Sequence, residues 1–140
     1  MAPAPHTFDV QIYYEDTDFS GVVYHANYLR YFERAREHLL GADELVRMWR
    51  EAQMGYVVYK ANQAFKEGAV FGDILEIRSL PRLESEYRVV FDQRAYRKSD
   101  GRLLVEASIE MVCIDASRRP VPIPLTERLR AALAVSASSR

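Results

Sequence analysis

The residues of this chain that are best suited to chemistry lie in one short acidic segment. It runs from Tyr14 to His25 and reads YEDTDFSGVVYH, directly ahead of a strongly amphipathic stretch. If that stretch is a helix, its first turn carries unpaired backbone N–H groups and a partial positive charge. A carboxylate one loop away from such a turn places a base or nucleophile beside an anion-stabilising pocket. That pairing is what the hydrolysis of an acyl group requires.

Two carboxylates in the segment compete for the chemical role, Asp16 and Asp18. An isolated loop aspartate usually forms an Asx turn or caps a helix, so the residue type alone does not favour catalysis. The motif that flanks both acids is what favours it. We expect one of the two to react and the other to brace the loop by accepting backbone hydrogen bonds.

Other kinds of site find less support in the sequence. Glu15, Asp16, Asp18 and His25 supply metal-ligand types but lack the H-E-x-x-H and EF-hand spacings, so we predict no metal site. The chain has no G-x-G-x-x-G, P-loop or G-x-S-x-G element, which argues against a nucleotide cofactor and a serine nucleophile. The single cysteine, Cys113, falls in an alternating apolar run and is predicted to be a buried structural thiol. We therefore expect no cofactor.

Composition and charge exclude further classes of function. The 140 residues are most simply one domain, 1–140, with flexible ends over 1–6 and 135–140. Hydrophobic residues make up 49% of the chain and charged residues 28%, as in globular proteins. The net charge is −1, so no basic field attracts nucleic acid. The N-terminus lacks an apolar targeting segment and no run is long enough to cross a bilayer, so we expect a cytoplasmic protein.

Hydrophobic periodicity predicts the elements that hold the acidic segment in place. Alternation from Phe8 to Tyr14 indicates a first strand. Apolar residues at helical spacing from Tyr28 to Ala42 indicate a long helix, which Gly41 is expected to end. Asp43 is a candidate cap for a second, shorter helix.

Four more strands are predicted, without another convincing helix between them. They lie near Tyr56–Lys66, Asp73–Leu83, Glu86–Lys98 and Arg102–Ile114. Short links, such as the Ser99-Asp100-Gly101 turn, imply antiparallel pairing. One long helix and about five strands with one apolar face predict an α+β fold, in which the antiparallel sheet wraps around the helix.

The acidic segment and its continuation also resemble a known family of proteins. From Tyr14 to Arg36, residue types and spacing are similar to the signature of the hotdog-fold acyl-CoA thioesterases. The segment looks most like the 4-hydroxybenzoyl-CoA thioesterase branch and, within it, the Tol–Pal-associated acyl-CoA thioesterase group. Farther along, the resemblance thins to the strand pattern and to Phe71-Gly72-Asp73. Phe19 and Ser20 stand where smaller residues are frequent in the family, a difference that bears on the shape of the pocket.

The resemblance implies an enzyme that cleaves an acyl-CoA thioester with water to free acid and coenzyme A. By the family's pattern the catalytic carboxylate is Asp18, three residues before Gly21, and it acts as nucleophile or as general base. The backbone N–H of His25 would hold the thioester oxygen, and the His25 side chain is a second catalytic candidate. Asp16 is then the bracing acid. The implied substrate-binding residues are Tyr14, Gly21, Tyr24 and Asn62.

The resemblance also implies a homodimer or homotetramer. In hotdog proteins the helix end of one subunit and the strands of a second form the pocket, so a partner would contribute residues around 62–65. Glu33, Arg34 and Arg36 are expected to be surface charges or interface contacts. Two alternatives are a hotdog dehydratase of hydroxyacyl thioesters and a non-catalytic acyl-CoA-binding module. The dehydratase's Asp/His arrangement is not seen here, and the acid at position 18 argues against the module.

Overall fold

The computed structural model describes residues 5–138 of the chain, with side chains described as far as position 133. The ends predicted to be flexible, 1–6 and 135–140, lie partly outside this range, at residues 1–4 and 139–140. Inside it, His6 begins the first strand and the last helix continues to Ser138.

The described residues form one antiparallel sheet and three α-helices. In chain order they are β1 (His6–Gln11), α1 (Asn27–Leu40), α2 (Ala42–Ala52), β2 (Gly55–Phe65), β3 (Ile74–Ser85), β4 (Arg88–Arg97), β5 (Leu103–Ile114), β6 (Pro120–Val121) and α3 (Glu127–Ser138). The strand order is β1-β3-β4-β5-β2, and the two-residue β6 pairs with β5. The predicted α+β fold with about five antiparallel strands is confirmed, with β6 as an addition.

Helix α1 buries its apolar stripe against the inner face of the sheet. Tyr31 and Phe32 are at most 1% exposed, and Phe91 and Ile77 of the sheet are 0% exposed in the same core. Burying each of these large side chains contributes about 1.5–3 kcal/mol. Cys113 is buried, as predicted, and burial raises the pKa of its thiol to about 12. The periodicity of the sequence therefore identifies the main packing contact of the fold.

The corner between α1 and α2 differs from the sequence prediction. A single residue, Gly41, separates the helices with φ +89°, and its N–H donates to the Glu37 carbonyl at 2.7 Å. Asp43 lies inside the first turn of α2 and its side chain makes no cap; its carboxylate lies 3.6 Å from the Arg128 guanidinium. The predicted cap is wrong because Gly41, which has no side chain, occupies the cap position of α2, and Asp43 already lies inside the helix.

The first strand ends three residues earlier than the alternation predicts. Strand β1 stops at Gln11, because the Ile12 N–H donates to the Asp73 carbonyl at 2.8 Å and the chain then enters a 3₁₀ turn over Tyr14–Asp16. Ile12 still reaches the core, whereas the Tyr14 side chain is 78% exposed. Tyr14 therefore belongs to the surface around the acidic segment and not to the sheet.

Arg36 is buried, and the surface position predicted for it is wrong. Its Nη1 donates to Gln93 Oε1 at 2.9 Å, and Gln93 Nε2 donates to the Phe32 carbonyl at 3.0 Å and to Ser79 Oγ at 2.9 Å. Arg36 is 5% exposed and Gln93 is 0% exposed. Buried polar groups require such partners, so this network fastens the centre of α1 to β3 and β4. The prediction fails because residue type alone assigns an arginine to the solvent side.

Two histidines join the start of β1 to the end of α1. His6 Nε2 and His38 Nδ1 are 2.8 Å apart, with ring centroids 5.0 Å apart. At this distance one ring donates and the other accepts, so both rings cannot be protonated without placing two positive charges side by side. Burial, and secondly the charge of His38, lower the pKa of His6.

We expect the free energy of unfolding to decrease as the pH falls below about 6.5. Because the pKa of His6 is lowered in the folded chain, the unfolded chain binds protons more readily, so acid favours unfolding. The loss should appear between pH 7 and pH 5 and is measured by urea unfolding at several pH values. His6→Gln should remove most of this slope, and the control Thr7→Gln, at the exposed neighbouring position, should retain it. An unchanged slope in His6→Gln would contradict the assignment.

Candidate active site

Asp16 braces the acidic segment from inside. Its Oδ2 accepts a hydrogen bond from the Tyr13 N–H at 2.7 Å, which closes the 3₁₀ turn. Its carbonyl accepts from the Tyr24 N–H at 3.0 Å and from Asn27 Nδ2 at 2.9 Å. The two ends of the segment are thus drawn together through one residue. These are the bracing contacts that the sequence analysis assigns to Asp16.

Asp18 begins the tight turn at the tip of the segment. Its N–H donates to the Val22 carbonyl at 2.9 Å, and its carbonyl accepts from the Gly21 N–H at 3.0 Å. Its Oδ1 accepts from the Ser20 N–H at 2.8 Å, which forms the Asx turn common to loop aspartates. Among the described residues its Oδ2 has no donor, and the residue is exposed. The turn therefore orients the carboxylate while leaving one oxygen for water or substrate.

Gly21 supplies the conformation that this turn needs. Its φ of +84° is one that residues with a Cβ rarely adopt, and no atom within 4 Å would meet a Cβ placed there. The space beside the Asp18 turn is therefore open up to the backbone. The side chain at the tip, Phe19, is fully exposed in the single chain.

The motif Phe71-Gly72-Asp73 holds the acidic segment against the sheet. Just ahead of the motif, the Ala69 carbonyl accepts from the Val23 N–H at 2.9 Å, and Val70 forms an isolated antiparallel bridge with Val22. The turn that follows is closed by the Asp73 carboxylate, which accepts from the Val70 N–H at 3.0 Å and from Arg97 Nε at 3.1 Å. Residues 69 and 70, held in place by the turn of this motif, therefore fix where the acidic turn lies, although they are far downstream of it in the sequence.

His25 lies between the acidic turn and helix α1. It precedes the first residue of α1, Asn27, by two positions, and its ring centroid lies 4.6 Å from that of Tyr24 and 6.2 Å from that of Phe65. Within the described residues its backbone N–H has no acceptor, so this donor is available to a substrate oxygen. Among the described residues, the His25 ring makes no hydrogen bond to Asp18. His25 therefore does not orient the Asp18 carboxylate through a direct contact in the single chain.

The predicted substrate-binding residues are not all brought together in one chain. Tyr14 lies edge-on to Phe71, with centroids 6.1 Å apart, and Tyr24 stacks beside His25, so both border the acidic segment. Asn62 instead lines an open groove of about 460 Å³, on the face of β2 and β5 that it shares with Ser108. Residues around Phe65 therefore lie nearer to the candidate site than Asn62 does.

Sequence reasoning missed the apolar border of this site. Phe71 is 61% exposed beside Tyr14, and Val70 and Ile74 are also exposed nearby in the chain. The sequence signal for this border is the Phe71-Gly72-Asp73 motif, whose glycine and aspartate shape the turn while its phenylalanine remains at the surface. The described side chains, which extend from residue 5 to residue 133, contain no cluster of three or more suited to hold a metal ion. In the same range no helix is long and apolar enough to cross a membrane.

Comparison with known proteins identifies the family to which this chain is similar. The family model described as the thioesterase-like superfamily matches residues 13–133. The acyl-CoA thioesterase YbgC of Haemophilus influenzae is 33% identical over 84% of this chain and 88% of its own length. The acyl-CoA thioester hydrolase YbgC of Escherichia coli O6:H1 is 35% identical over 82% of this chain and 87% of its own length.

Solved structures agree with the sequence relatives. A 1,4-dihydroxy-2-naphthoyl-CoA thioesterase from Synechocystis superposes with a TM-score of 0.82 at 26% identity, covering 92% of this chain and 95% of that one. The hotdog fold implied by the resemblance is confirmed. The chain belongs to the thioesterase-like superfamily, in the group that includes the YbgC acyl-CoA thioesterases.

Proposed function

We propose that this chain hydrolyses an acyl-CoA thioester to a free carboxylic acid and coenzyme A. The observation that carries the proposal is the acidic turn, in which Asp18 keeps one carboxylate oxygen open while the His25 N–H of the same segment has no acceptor among the described residues. The names of its YbgC relatives support acyl-CoA as the substrate class. Such a substrate fits the predicted cytoplasmic location.

The proposed mechanism uses Asp18 and the His25 backbone. The thioester carbonyl oxygen accepts a hydrogen bond from the His25 N–H, which stabilises the negative charge that develops on it. A directed donor of this kind is typically worth about 2.7–4 kcal/mol in the transition state. Asp18 either attacks the carbonyl carbon, giving a mixed anhydride that water then cleaves, or removes a proton from the attacking water. In both routes the C–S bond breaks, and coenzyme A leaves as a thiol once it is protonated.

A thioester hydrolysis screen tests the proposed function. Short, long and aromatic acyl-CoAs are each incubated with the chain, and free thiol is measured. We expect at least one class to release thiol, with equal rates before and after exhaustive chelation because the proposed mechanism uses no metal. A dehydratase would convert a hydroxyacyl thioester without releasing thiol, and a binding module would bind acyl-CoA without turnover. Either outcome would replace the proposal.

We also propose that the site is completed in a homodimer or a dimer of dimers. Strand β2 ends the sheet, and its exposed apolar side chains include Val57, Val58 and Tyr59. An edge of this kind needs a partner or protection. Because Phe65 of β2 lies beside His25 and Tyr28, a partner on this edge would lie next to the acidic segment.

Light scattering at micromolar concentration is expected to give at least twice the chain mass of 16.2 kDa. Val58→Lys should lower the measured mass and the activity together, because it places a charge on the exposed apolar edge. The matched control, Thr7→Lys, changes an exposed residue on the opposite edge strand and should leave both unchanged. A fully active monomer would contradict the shared site.

A further inference from the structure

One arginine at the end of β4, Arg97, holds both sides of the loop that supports the acidic segment. This supporting loop comprises residues 67–73. The Nη2 of Arg97 donates to the Gly68 carbonyl at 3.0 Å, its Nε donates to the Asp73 carboxylate at 3.1 Å, and its Nη1 lies 3.3 Å from the Glu67 carboxylate. A guanidinium presents its N–H donors in a fixed fork, so a single side chain can fix several points at once. Arg97 therefore ties the whole supporting loop to the sheet.

Between these contacts the supporting loop meets the acidic segment. Residues 69–70 of the loop pair with the backbone of residues 22–23. Gly68 lies so close to the acidic segment that a Cβ placed on it would meet Val22 Cγ1 at 2.8 Å. The Val22 carbonyl in turn accepts from the Asp18 N–H at 2.9 Å, inside the acidic turn. A supporting loop that shifts at these positions therefore shifts the Asp18 turn with it.

We propose that Arg97 is a positioning residue for the Asp18 turn and acts through the supporting loop. The inference rests on the proposed function, in which the Asp18 carboxylate must be aimed at the thioester carbon or at the attacking water. A misplacement of about 1 Å, caused by a change far from the reacting atoms, can lower a rate by about a hundredfold. Because Arg97 bonds to the loop and not to Asp18 itself, its loss should lower kcat by misorienting the carboxylate.

Two substitutions separate the fork of Arg97 from its charge. Arg97→Met removes both, whereas Arg97→Lys keeps the charge but offers one nitrogen in place of three, so it cannot hold Gly68, Asp73 and Glu67 together. We expect Arg97→Met to lower kcat on one acyl-CoA by about ten- to a hundredfold, with KM within about threefold of the wild-type value. Arg97→Lys should fold like the wild type and still lose about fivefold or more in kcat.

Arg102→Met is the matched control, because Arg102 belongs to the same charge cluster but makes no hydrogen bond to Gly68 or Asp73. Its Nη1 lies 2.6 Å from the Glu67 carboxylate, and its Nε lies 3.9 Å from that of Asp100. The side chain is 65% exposed, so its removal changes the charge of the cluster without releasing the supporting loop. We expect kcat of Arg102→Met to stay within about twofold of the wild-type value.

Amide hydrogen exchange reports on the acidic turn without any substrate. The N–H groups of Asp18, Gly21 and Val23 are hydrogen-bonded within the turn or to the supporting loop. We expect all three to exchange about tenfold faster in both Arg97 variants and at the wild-type rate in Arg102→Met. The amides of α2 serve as the reference for global unfolding and should exchange at the wild-type rate in every variant.

The two readouts keep this inference distinct from the proposed function. A wild-type chain that releases no thiol would end the proposed function, and amide exchange would then decide the role of Arg97 alone. If Arg97→Met does not fold, Arg97→Lys carries the same comparison with Arg102→Met. Wild-type exchange at Asp18 in the Arg97 variants, a loss confined to KM, wild-type kcat in Arg97→Lys, or an equal loss in Arg102→Met would each overturn the inference.

Discussion

Asp18→Asn is expected to remove nearly all thioester hydrolysis while leaving the fold intact. The substitution keeps the size of the side chain and its ability to accept the Ser20 N–H, but it deletes the charge needed by a nucleophile or a base. Loss of such a group typically lowers the rate by roughly 10²–10⁴-fold or more. The measurement is kcat on one acyl-CoA, with the melting temperature as the control for folding.

Asp16→Asn is the matched comparison for this prediction. It should reduce kcat less and the melting temperature more, because the Asp16 carboxylate holds the Tyr13 N–H inside the loop. If Asp16→Asn is the inactive variant and Asp18→Asn remains active, the catalytic assignment is wrong by two residues. If both variants keep turnover near that of the wild type, the acidic turn is structural and the mechanism must be abandoned.

Gln93→Met is expected to be among the most destabilising substitutions in the chain. Methionine has a similar length but offers Arg36 no comparable acceptor and the Phe32 carbonyl no donor, so a buried charge loses its only side-chain partner among the described residues. Leaving a buried hydrogen-bonding group without its partner typically costs about 1–3 kcal/mol, and more when the group is charged, and this substitution removes partners from both Arg36 and the Phe32 carbonyl. The melting temperature should fall by roughly 10 °C or more.

Urea unfolding of matched variants checks this prediction. The control is Gln11→Met, at an exposed position at the end of β1, which should change stability by less than about 0.5 kcal/mol. The double variant Arg36→Met with Gln93→Met should be less destabilised than the sum of the two single variants, because it removes the charge together with its partner. A Gln93→Met variant as stable as the control would contradict the role assigned to this network.

Much of the fold could be predicted because its signals are local. The apolar stripe of α1 repeats at helical spacing, and β5 alternates regularly, so both elements are identified by neighbouring residues alone. The end of β1 could not be identified in this way, since it is set by a hydrogen bond from Ile12 to the distant Asp73. Asp43 failed as a cap for a similar reason, because the geometry of the corner at Gly41 decides where α2 begins.

In the candidate site, too, features set by neighbouring residues could be predicted, and features set by residues far away in the sequence could not. The acidic segment could be identified from its own residues and its resemblance to a family, and the structure shows the bracing contacts of Asp16. The face of β2 that carries Asn62 could not be predicted, because the strand register of β2 shifts between Val58 and Lys60, and a shift of one residue exchanges the two faces of a strand. The buried state of Arg36 depends on Gln93, far away in the sequence, and no local pattern reveals it.

The stoichiometry of one reaction shows directly whether Asp18 drives thioester hydrolysis. The wild-type chain is incubated with an acyl-CoA that it binds, and free thiol and free carboxylic acid are measured in the same sample over several turnovers. We expect both products to appear in a one-to-one ratio, and Asp18→Asn to form neither at a comparable rate. Saturable binding of acyl-CoA without release of thiol, or equal release by the wild type and Asp18→Asn, would contradict it.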